Sequence, residues 1–497
     1  MTDKILFWIS GDLTSFCTAY YLQNKIDSDF FAIVDSYEKP KSFFKNQQLV
    51  KFQKTWFYHE YFQNMNKSDL KYLSDFEKKY EINLWKLAIN ERIFYRFNRI
   101  YKFSSKEILL ILERECKLFS EIINTVKPDF LIMNEPTLHQ HELLYRMCKK
   151  IGTKILLLNQ TNTSRSMLSE NSRKIDDTIE LNKLPSCNRS FNELRSYRKS
   201  FSAYNSVKTY RDKFKISKFE LLKSTMSFLT SKNLHLKTHF THRGRTKFQV
   251  IKDEITLKIK RKYRNFFINH NLETNIEFNE NFVYFPLAVD EERNLLIAAP
   301  FYTNQVEVIR HIVKSLPIGY TLYVKENPAQ SVRYWRKISE YKEIMSIPNV
   351  RLFHPNLSAE VFYKNCSLVI TIGGSSGLDA AFYEKPSIVF TNLGYSVLPS
   401  VSKLNSLENL HEIILESLQK TVNSEDLDKY ITLLHNNSFD FDPLEFQNKF
   451  NEYFYHDGHY LSVEISESKM KTFLDENQTI LDKLSSEYVK KINLLKN

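Results

Sequence analysis

The sequence predicts an α/β protein built as two layered halves, and three observations carry that prediction. Short β-branched runs bounded by Gly, Pro, Asn or Asp recur through residues 1–160 and again through residues 282–390. Amphipathic stretches at helical spacing separate them, the pattern of repeated βα units on a mostly parallel sheet. Between the two series lies a long basic segment with little clean alternation. In parallel sheets ligands bind beyond the carboxyl ends of the strands, so the polar residues that close each run are the candidates for chemistry.

In the first half, Lys4 to Ser10 reads as a strand leading into Gly11-Asp12, followed by a helix over Ser15 to Gln23 and a strand over Phe30 to Val34. Asp69 to Tyr101 turns to aromatic-rich helical pattern, and Ile108 to Val126 is an amphipathic helix broken by Lys127-Pro128-Asp129. Phe130 to Met133 is a strand ending at Asn134-Glu135-Pro136. His141 to Ile151 is helical, and Lys154 to Leu158 is a strand ending at Asn159-Gln160-Thr161. Gly11, Asp12, Glu135 and Gln160 thus all fall at strand ends.

Residues 182–270 hold about twenty Lys and Arg against about five acids, with helical stretches such as Lys218 to Leu229. They read as an interdomain region with a basic face. The second half starts at Phe282 to Pro286. Leu295 to Ala299, Thr321 to Val324 and Arg351 to Phe353 read as strands, and Thr303 to Ser315 and Ala359 to Asn365 as helices. Then comes LVITIGGSSGLDAAFYEKPSIVF (368–390): a buried strand, a turn of Gly373, Gly374, Ser375, Ser376 and Gly377, a short helix and another strand. The chain has nine glycines, and three lie in this turn, so backbone there must turn sharply or lie against something. Beyond Asn392 the pattern is helical, ending in the amphipathic Lys469 to Leu495.

Composition bounds the partners. At 497 residues, 42% hydrophobic, the chain can hold two or three domains with proper cores. The formal charge of +12 favours anionic partners: nucleotide-sugars, phospholipid surfaces or nucleic acid. No recognition motif accompanies the charge, so nucleic acid is not expected. Cys17, Cys116, Cys148, Cys187 and Cys366 are scattered without a CxxC pair, which argues against a disulfide framework or zinc site and suits a reducing cytoplasm. The apolar run in MTDKILFWISGD is too short for a signal peptide, and no window approaches eighteen uninterrupted apolar residues. The expected location is cytoplasmic, with peripheral contact at an anionic membrane face left open by the basic segment. Asn162-Thr163-Ser164 is then a chance sequon.

A glycine-rich turn opening a helix presents N–H groups and a positive dipole end to an anion. Lys325-Glu326-Asn327-Pro328, His354-Pro355 and Gly373 to Gly377 end neighbouring strands, so Lys325, Ser375 and Ser376 are expected to face one ligand, a diphosphate or phosphodiester. No Walker A pattern, no GxGxxG followed by a placed acid and no HExxH occurs, which disfavours ATPase, dehydrogenase and metallohydrolase readings.

FVYFPL (282–287), DEER (290–293), LYVKENP (322–328) and ITIGGSSGLDAAFYEKPSIVF (370–390) together resemble capsular polysaccharide biosynthesis proteins, with looser likeness at KYEINLWKLAINER (79–92) and KPDFLIMNEP (127–136). These are GT-B-like glycosyltransferase proteins related to enzymes that use CMP-activated sugars such as Kdo. The resemblance implies two Rossmann-like domains facing a cleft, with helical insertions and a helical tail. The boundaries expected are 1–181 (acceptor side), 182–281 (basic, largely helical), 282–440 (nucleotide donor) and 441–497 (tail).

It implies further that Lys325, Glu326, Asn327 and Pro328 stand where the family has Lys-Glu-His-Pro, and Ser375-Ser376 where it has a Ser/Thr motif. Both motifs grip the donor nucleotide, together with Gly373, Gly374 and Gly377. Asn327 replaces the His; it donates a hydrogen bond but carries neither proton nor positive charge. Glu292 matches an acid of the family's Pro-Glu motif. An inverting transfer needs a base for the acceptor hydroxyl, and Glu135, Asp12 and Glu292 are the candidates, Glu135 first. Gly11, His139 and Gln160 are expected on the acceptor side. The expected substrates are a nucleotide-sugar and a glycan or lipid-linked acceptor, with no protein-bound cofactor or metal. A CDP-polyol phosphotransferase, a sugar-nucleotide epimerase and a catalytically degenerate assembly protein are the alternatives.

Overall fold

The computed structural model describes residues 2–36, 38–62, 67–161, 165–172, 174–175, 181–199, 225–226, 228–230, 239–278, 280–455 and 465–496. The chain forms two compact units. One comprises Met1–Asp176, Ser202–Val250 and Asn437–Asn497; the other comprises Asp177–Phe201 and Ile251–Asn436.

The first unit is built on a six-stranded sheet in the order β3-β2-β1-β4-β5-β6. Its strands are β1 (Asp3–Ile9), β2 (Ser28–Val34), β3 (Phe52–Phe57), β4 (Phe130–Asn134), β5 (Lys154–Gln160) and β6 (Ser166–Ser169). All pair in parallel except β6, which runs antiparallel to β5 along the edge. The second unit has β7 (Asn281–Pro286), β8 (Tyr320–Lys325), β9 (Val350–Phe353), β10 (Leu368–Thr371), β11 (Ser387–Val389) and β12 (Val401–Lys403), in the order β12-β11-β10-β7-β8-β9, all parallel. Numbered within its own sheet, each order is 3-2-1-4-5-6, the doubly wound arrangement. The chain is therefore a two-domain, Rossmann-like α/β protein.

The central strands are continuous apolar runs because helices cover both sheet faces. On one face of the first sheet, helix Thr14–Leu22 packs with the C-terminal helices through Phe16, Phe446, Phe473 and Tyr488; Tyr21 Oη donates to the Leu474 carbonyl at 2.8 Å. The tail thus completes the first unit's core. On the other face, helix Ser105–Val126 packs with Trp56, Tyr58, Phe94 and Phe103. That helix starts at a capping box in which Ser104 and Glu107 bond reciprocally.

Three short strands, β3, β6 and β12, are additional to those the sequence predicts. Leu295 to Ala299 is not a strand. Arg293–Leu296 is a short helix, and Leu295, Leu296 and Ala299 are buried from it. The apolar run fits either state by pattern, and β7, the strand before it in the chain, is already flanked by β8 and β10, which leaves no place beside β7 for it. Within Asp69 to Tyr101 the helices are shorter than expected, Leu70–Tyr80 and Leu84–Ala88. The expected helix over 218–229 and the sequon at 162–164 lie largely outside the described residues. Further along the basic segment, Lys247–Asn271 is a 25-residue helix. No helix among the described residues is long and apolar enough to cross a membrane.

Candidate functional site

In a doubly wound sheet the crevice for a ligand opens where the strand order reverses, outside the carboxyl ends. That point lies between β10 and β7 in the second sheet and between β1 and β4 in the first.

The glycine turn follows β10 at this point. None of Gly373, Gly374 and Gly377 adopts a left-handed φ; close approach accounts for two of them. A Cβ on Gly377 would stand 2.7 Å from Tyr395 Oη, and one on Gly373 would stand 3.3 Å from the Asn294 carbonyl oxygen. Gly374 N donates to Thr371 Oγ1 at 3.3 Å, and Tyr395 Oη donates to the Gly374 carbonyl. The turn is clamped from behind while helix Ser376–Ala381 starts from it, with first-turn N–H groups that have no intrahelical acceptor. Ser375 Oγ donates to Asp379 Oδ2 at 3.2 Å, and Arg198 Nε donates to Asp379 Oδ1 at 2.9 Å. Burial raises the Asp379 carboxyl above its usual range, with Arg198 pulling the other way.

Lys325 ends β8, two strands from β10 with β7 between, so about 10 Å separates the strands that carry the lysine and the turn. Lys325 is 5% exposed, and its ammonium donates to the carbonyls of Glu326 at 3.4 Å and Pro355 at 3.2 Å, two contacts for three donors. Burial pushes Lys325 down to about 8, against the pull of Glu326. His354, 7% exposed, accepts at Nδ1 from Asn356 N and lies 3.0 Å from Asn269 Oδ1 through Nε2. Burial and the Lys325 charge depress it, consistent with a neutral ring that donates to Asn269.

Glu326 is not on the ligand side. It is fully buried, taking Arg336 Nε and Tyr341 Oη at 2.8 Å each and the Asn327 amide at 2.6 Å. Arg336 also contacts Asp290 at 2.5 Å and the Ala288 carbonyl at 2.6 Å. Burial opposes its charge, yet Asp290 and Glu326 push Arg336 above the usual guanidinium range. This buried cation between two acids ties the loops after β7 and β8 together, so Glu326 positions the Lys325 loop from within. Asn327 caps the 3₁₀ turn Pro328–Arg333 by accepting from Ala329 N at 2.9 Å, which leaves its NH₂ end as the donor. Glu292 is exposed beside the turn's neighbour Asn294, and its carbonyl accepts from Leu295 N and Leu296 N at 3.1 Å.

In the first unit the structure brings Asp12 and β4 together. Asp12 accepts from Asn134 Nδ2 at 2.7 Å, Ser10 Oγ at 3.2 Å and Thr14 N at 3.1 Å. Burial raises its carboxyl, with the Thr14 amide opposing. Leu13, next to it, is left-handed at φ 55°, a conformation that costs a branched side chain about 1–2 kcal/mol. Gly11 lies between Ser10 and Asp12. Glu135 follows Asn134 and accepts from Ser172 Oγ. Gln160 ends β5 and donates to Asp442 Oδ1 at 3.2 Å.

His139 departs from the acceptor-side expectation. It is 2% exposed, with Nδ1 2.9 Å from Glu91 Oε2 and Nε2 2.9 Å from Glu115 Oε1. Burial opposes its charge, but Glu115 and Glu91 raise it to about 10, so it is a buried cation holding helices together. A groove of about 580 Å³ in this unit is lined by Asp3, Lys127, Asp129, Lys154 and Lys496. It lies at the amino ends of β1, β4 and β5, the wrong edge for this chemistry. Among the described residues no group of three or more His, Cys, Asp or Glu is arranged to hold a metal ion.

Residues 166–412 match the model of a family described as capsule polysaccharide biosynthesis protein. This segment belongs to that family. A comparison with curated proteins finds no match. Among solved structures, the chain is similar to UDP-GlcNAc 2-epimerase from Methanocaldococcus jannaschii in complex with UDP-GlcNAc and UDP (11% identity, 88% of this chain and 99% of that one, TM-score 0.25). It is also similar to KpsC, the beta Kdo 2,7 transferase of Thermosulfurimonas dismutans (11%, 71% and 98%, 0.28), and to an Anabaena HepE bound to UDP and glucose (10%, 90% and 98%, 0.24). The two strand orders, not these likenesses, define the fold.

The capsule-family segment also contains residues that sequence reading misses. Arg336 and Asp290 complete the Glu326 network, and Arg198 reaches Asp379 from 181 residues away. In the first unit Asp35, just after β2, lies 2.8 Å from His59 Nε2 and 3.8 Å from His141 Nε2. Burial works to raise Asp35, yet His141 and His59 hold it well below the usual carboxylate range. Position just past a strand end was the one available signal for Asp35; nothing local marks Arg336 or Arg198.

Proposed function

We propose that this capsule-family chain is a glycosyltransferase of surface polysaccharide synthesis, taking a nucleotide-activated sugar, a CMP-sugar by preference, and delivering it to a glycan or lipid-linked acceptor. The observation that carries this reading is the glycine turn at the switch point of the second sheet, with Lys325 two strands away. Backbone amides of Gly373 to Gly377, the hydroxyls of Ser375 and Ser376, the Asn327 amide and the Lys325 ammonium would hold the donor phosphate. They would also stabilise the charge that builds on the departing nucleotide. Glu135 would take the proton of the acceptor hydroxyl as it attacks the anomeric carbon. Asp12, with its raised carboxyl beside Asn134, is the second candidate for that role. Gly11 and Gln160 stand on the acceptor side of this scheme.

The capping role of Asn327 favours one alternative, a member that binds nucleotide without transferring sugar, because the amide at that position supplies neither the proton nor the charge of a histidine. Thermal-shift measurements with CMP, CDP, UDP and GDP test the donor class: a specific response to CMP is expected, and silence toward all four sinks the reading. Ser375→Ala with Ser376→Ala should then abolish the response in a folded protein. Conversion of a nucleotide-sugar with no acceptor present would point instead to an epimerase.

A further inference from the structure

Helix Lys247–Asn271 is apolar on two opposite faces. One face is occupied: Leu257 and Ile268 are buried, Ile268 joins the core of the second sheet, and Arg264 donates to the Tyr334 and Trp335 carbonyls at 2.9 Å. The other face is open. Phe248, Ile255, Ile259, Tyr263 and Phe266 are 75%, 55%, 63%, 66% and 60% exposed. At 100° per residue Phe248, Ile255, Ile259 and Phe266 fall within about 20° of one line, a stripe about 27 Å long, and Tyr263 stands about 60° to one side. Exposed Lys252 and Lys262 border the stripe on opposite sides, with Lys258 just beyond. Along the helix Lys247, Lys252, Lys258, Lys260, Arg261, Lys262 and Arg264 face only Asp253 and Glu254 in number.

A row of large apolar side chains open to water marks a docking surface, and the charge around it selects the occupant. A second copy would set one cationic helix against another, like charge on like. An anionic lipid surface satisfies both features: the acyl boundary takes the stripe, and the headgroups take the lysines on its flanks. We infer that this helix lies flat on an anionic bilayer surface with the Phe248–Phe266 stripe inward. The inference is independent of the donor chemistry proposed above.

Flotation of the full chain with phosphatidylcholine vesicles, with and without phosphatidylglycerol, tests it. The protein should float with the anionic vesicles and stay behind with the neutral ones. The combined variant Ile255→Ser, Ile259→Ser, Phe266→Ser should lower the bound fraction about tenfold or more. Lys252→Glu, Lys258→Glu, Lys262→Glu should remove the preference for anionic lipid. All six positions are exposed, so an unchanged melting curve confirms that both variants are folded. Failure of the wild type to float with anionic vesicles, or flotation of the folded serine variant at wild-type level, overturns the assignment. So does a wild-type dimer that the serine variant turns into a monomer, since a second copy would then cover the stripe.

Discussion

The first sheet closes its strands on acids: Asp12 and Asp35 follow β1 and β2, and Glu135 follows β4. The second closes its strands on Lys325 and a turn of bare backbone. Strand order is the same in both, so topology does not set the difference; the residues at and just past the strand ends do. An edge of carboxylates suits removal of a proton, and an edge of N–H groups suits an anion. The two edges are also supported differently. Behind the first, His139 is a cation between Glu91 and Glu115; behind the second, Arg336 is a cation between Glu326 and Asp290.

The largest effects come from breaking these supports, because a buried acid that loses its cation keeps the full cost of burial. Arg336→Leu should destabilise the second unit by about 3–5 kcal/mol, read as a lower urea midpoint. If the midpoint barely moves, Glu326 is not the anchor of the Lys325 loop. His139→Leu should cost the first unit somewhat less, since Tyr58 Oη still donates to Glu115 and Arg92 lies 4.0 Å from Glu91. The histidine adds a pH signature. Its pKa is raised from 6.5 to about 10 on folding, so its contribution is fully present below pH 6.5 and lost as the pH climbs through about 10. A wild type that loses stability over that alkaline range while His139→Leu does not would confirm the buried cation; parallel profiles would refute it.

Next in size is the glycine turn. Gly377→Ala puts a methyl group 2.7 Å from Tyr395 Oη and 2.9 Å from its ring, and should cost about 1–3 kcal/mol while weakening nucleotide binding. An alanine variant that binds CMP as the wild type does would mean that the turn is shaped for packing alone.

How far the sequence discloses all this depends on whether partners are near in the chain. The turn at 373–377 and Lys325 are legible because each sits at the end of a short β-branched run, and strand ends share one sheet edge. β12 has three residues and β6 is a four-residue antiparallel edge, too short for periodicity to register. β3, FQKTWF, carries Lys54 and Gln53 on exposed positions and reads as polar. His139 looks like a ligand contact in sequence because Glu91 and Glu115, which bury it, lie 48 and 24 residues away. Glu326 looks like one for the same reason.

The smallest predicted effect separates the two edges most directly. Lys325, pushed by burial to about 8, is the charge at the second edge that titrates near neutrality, and a bound phosphate would favour its protonated form. Affinity for CMP should therefore be level from about pH 7 to about pH 8 and fall above that by at most about tenfold per pH unit, roughly 1.4 kcal/mol each. The phosphate's own second ionisation, near pH 6, is complete by then and adds no slope. Lys325→Arg should hold the affinity level through the same range, because a guanidinium keeps its charge. Lys325→Met should be weak at every pH and equally level. If the wild-type affinity does not change between about pH 7 and pH 10, the lysine does not meet the phosphate. The anion site would then rest on the glycine turn alone.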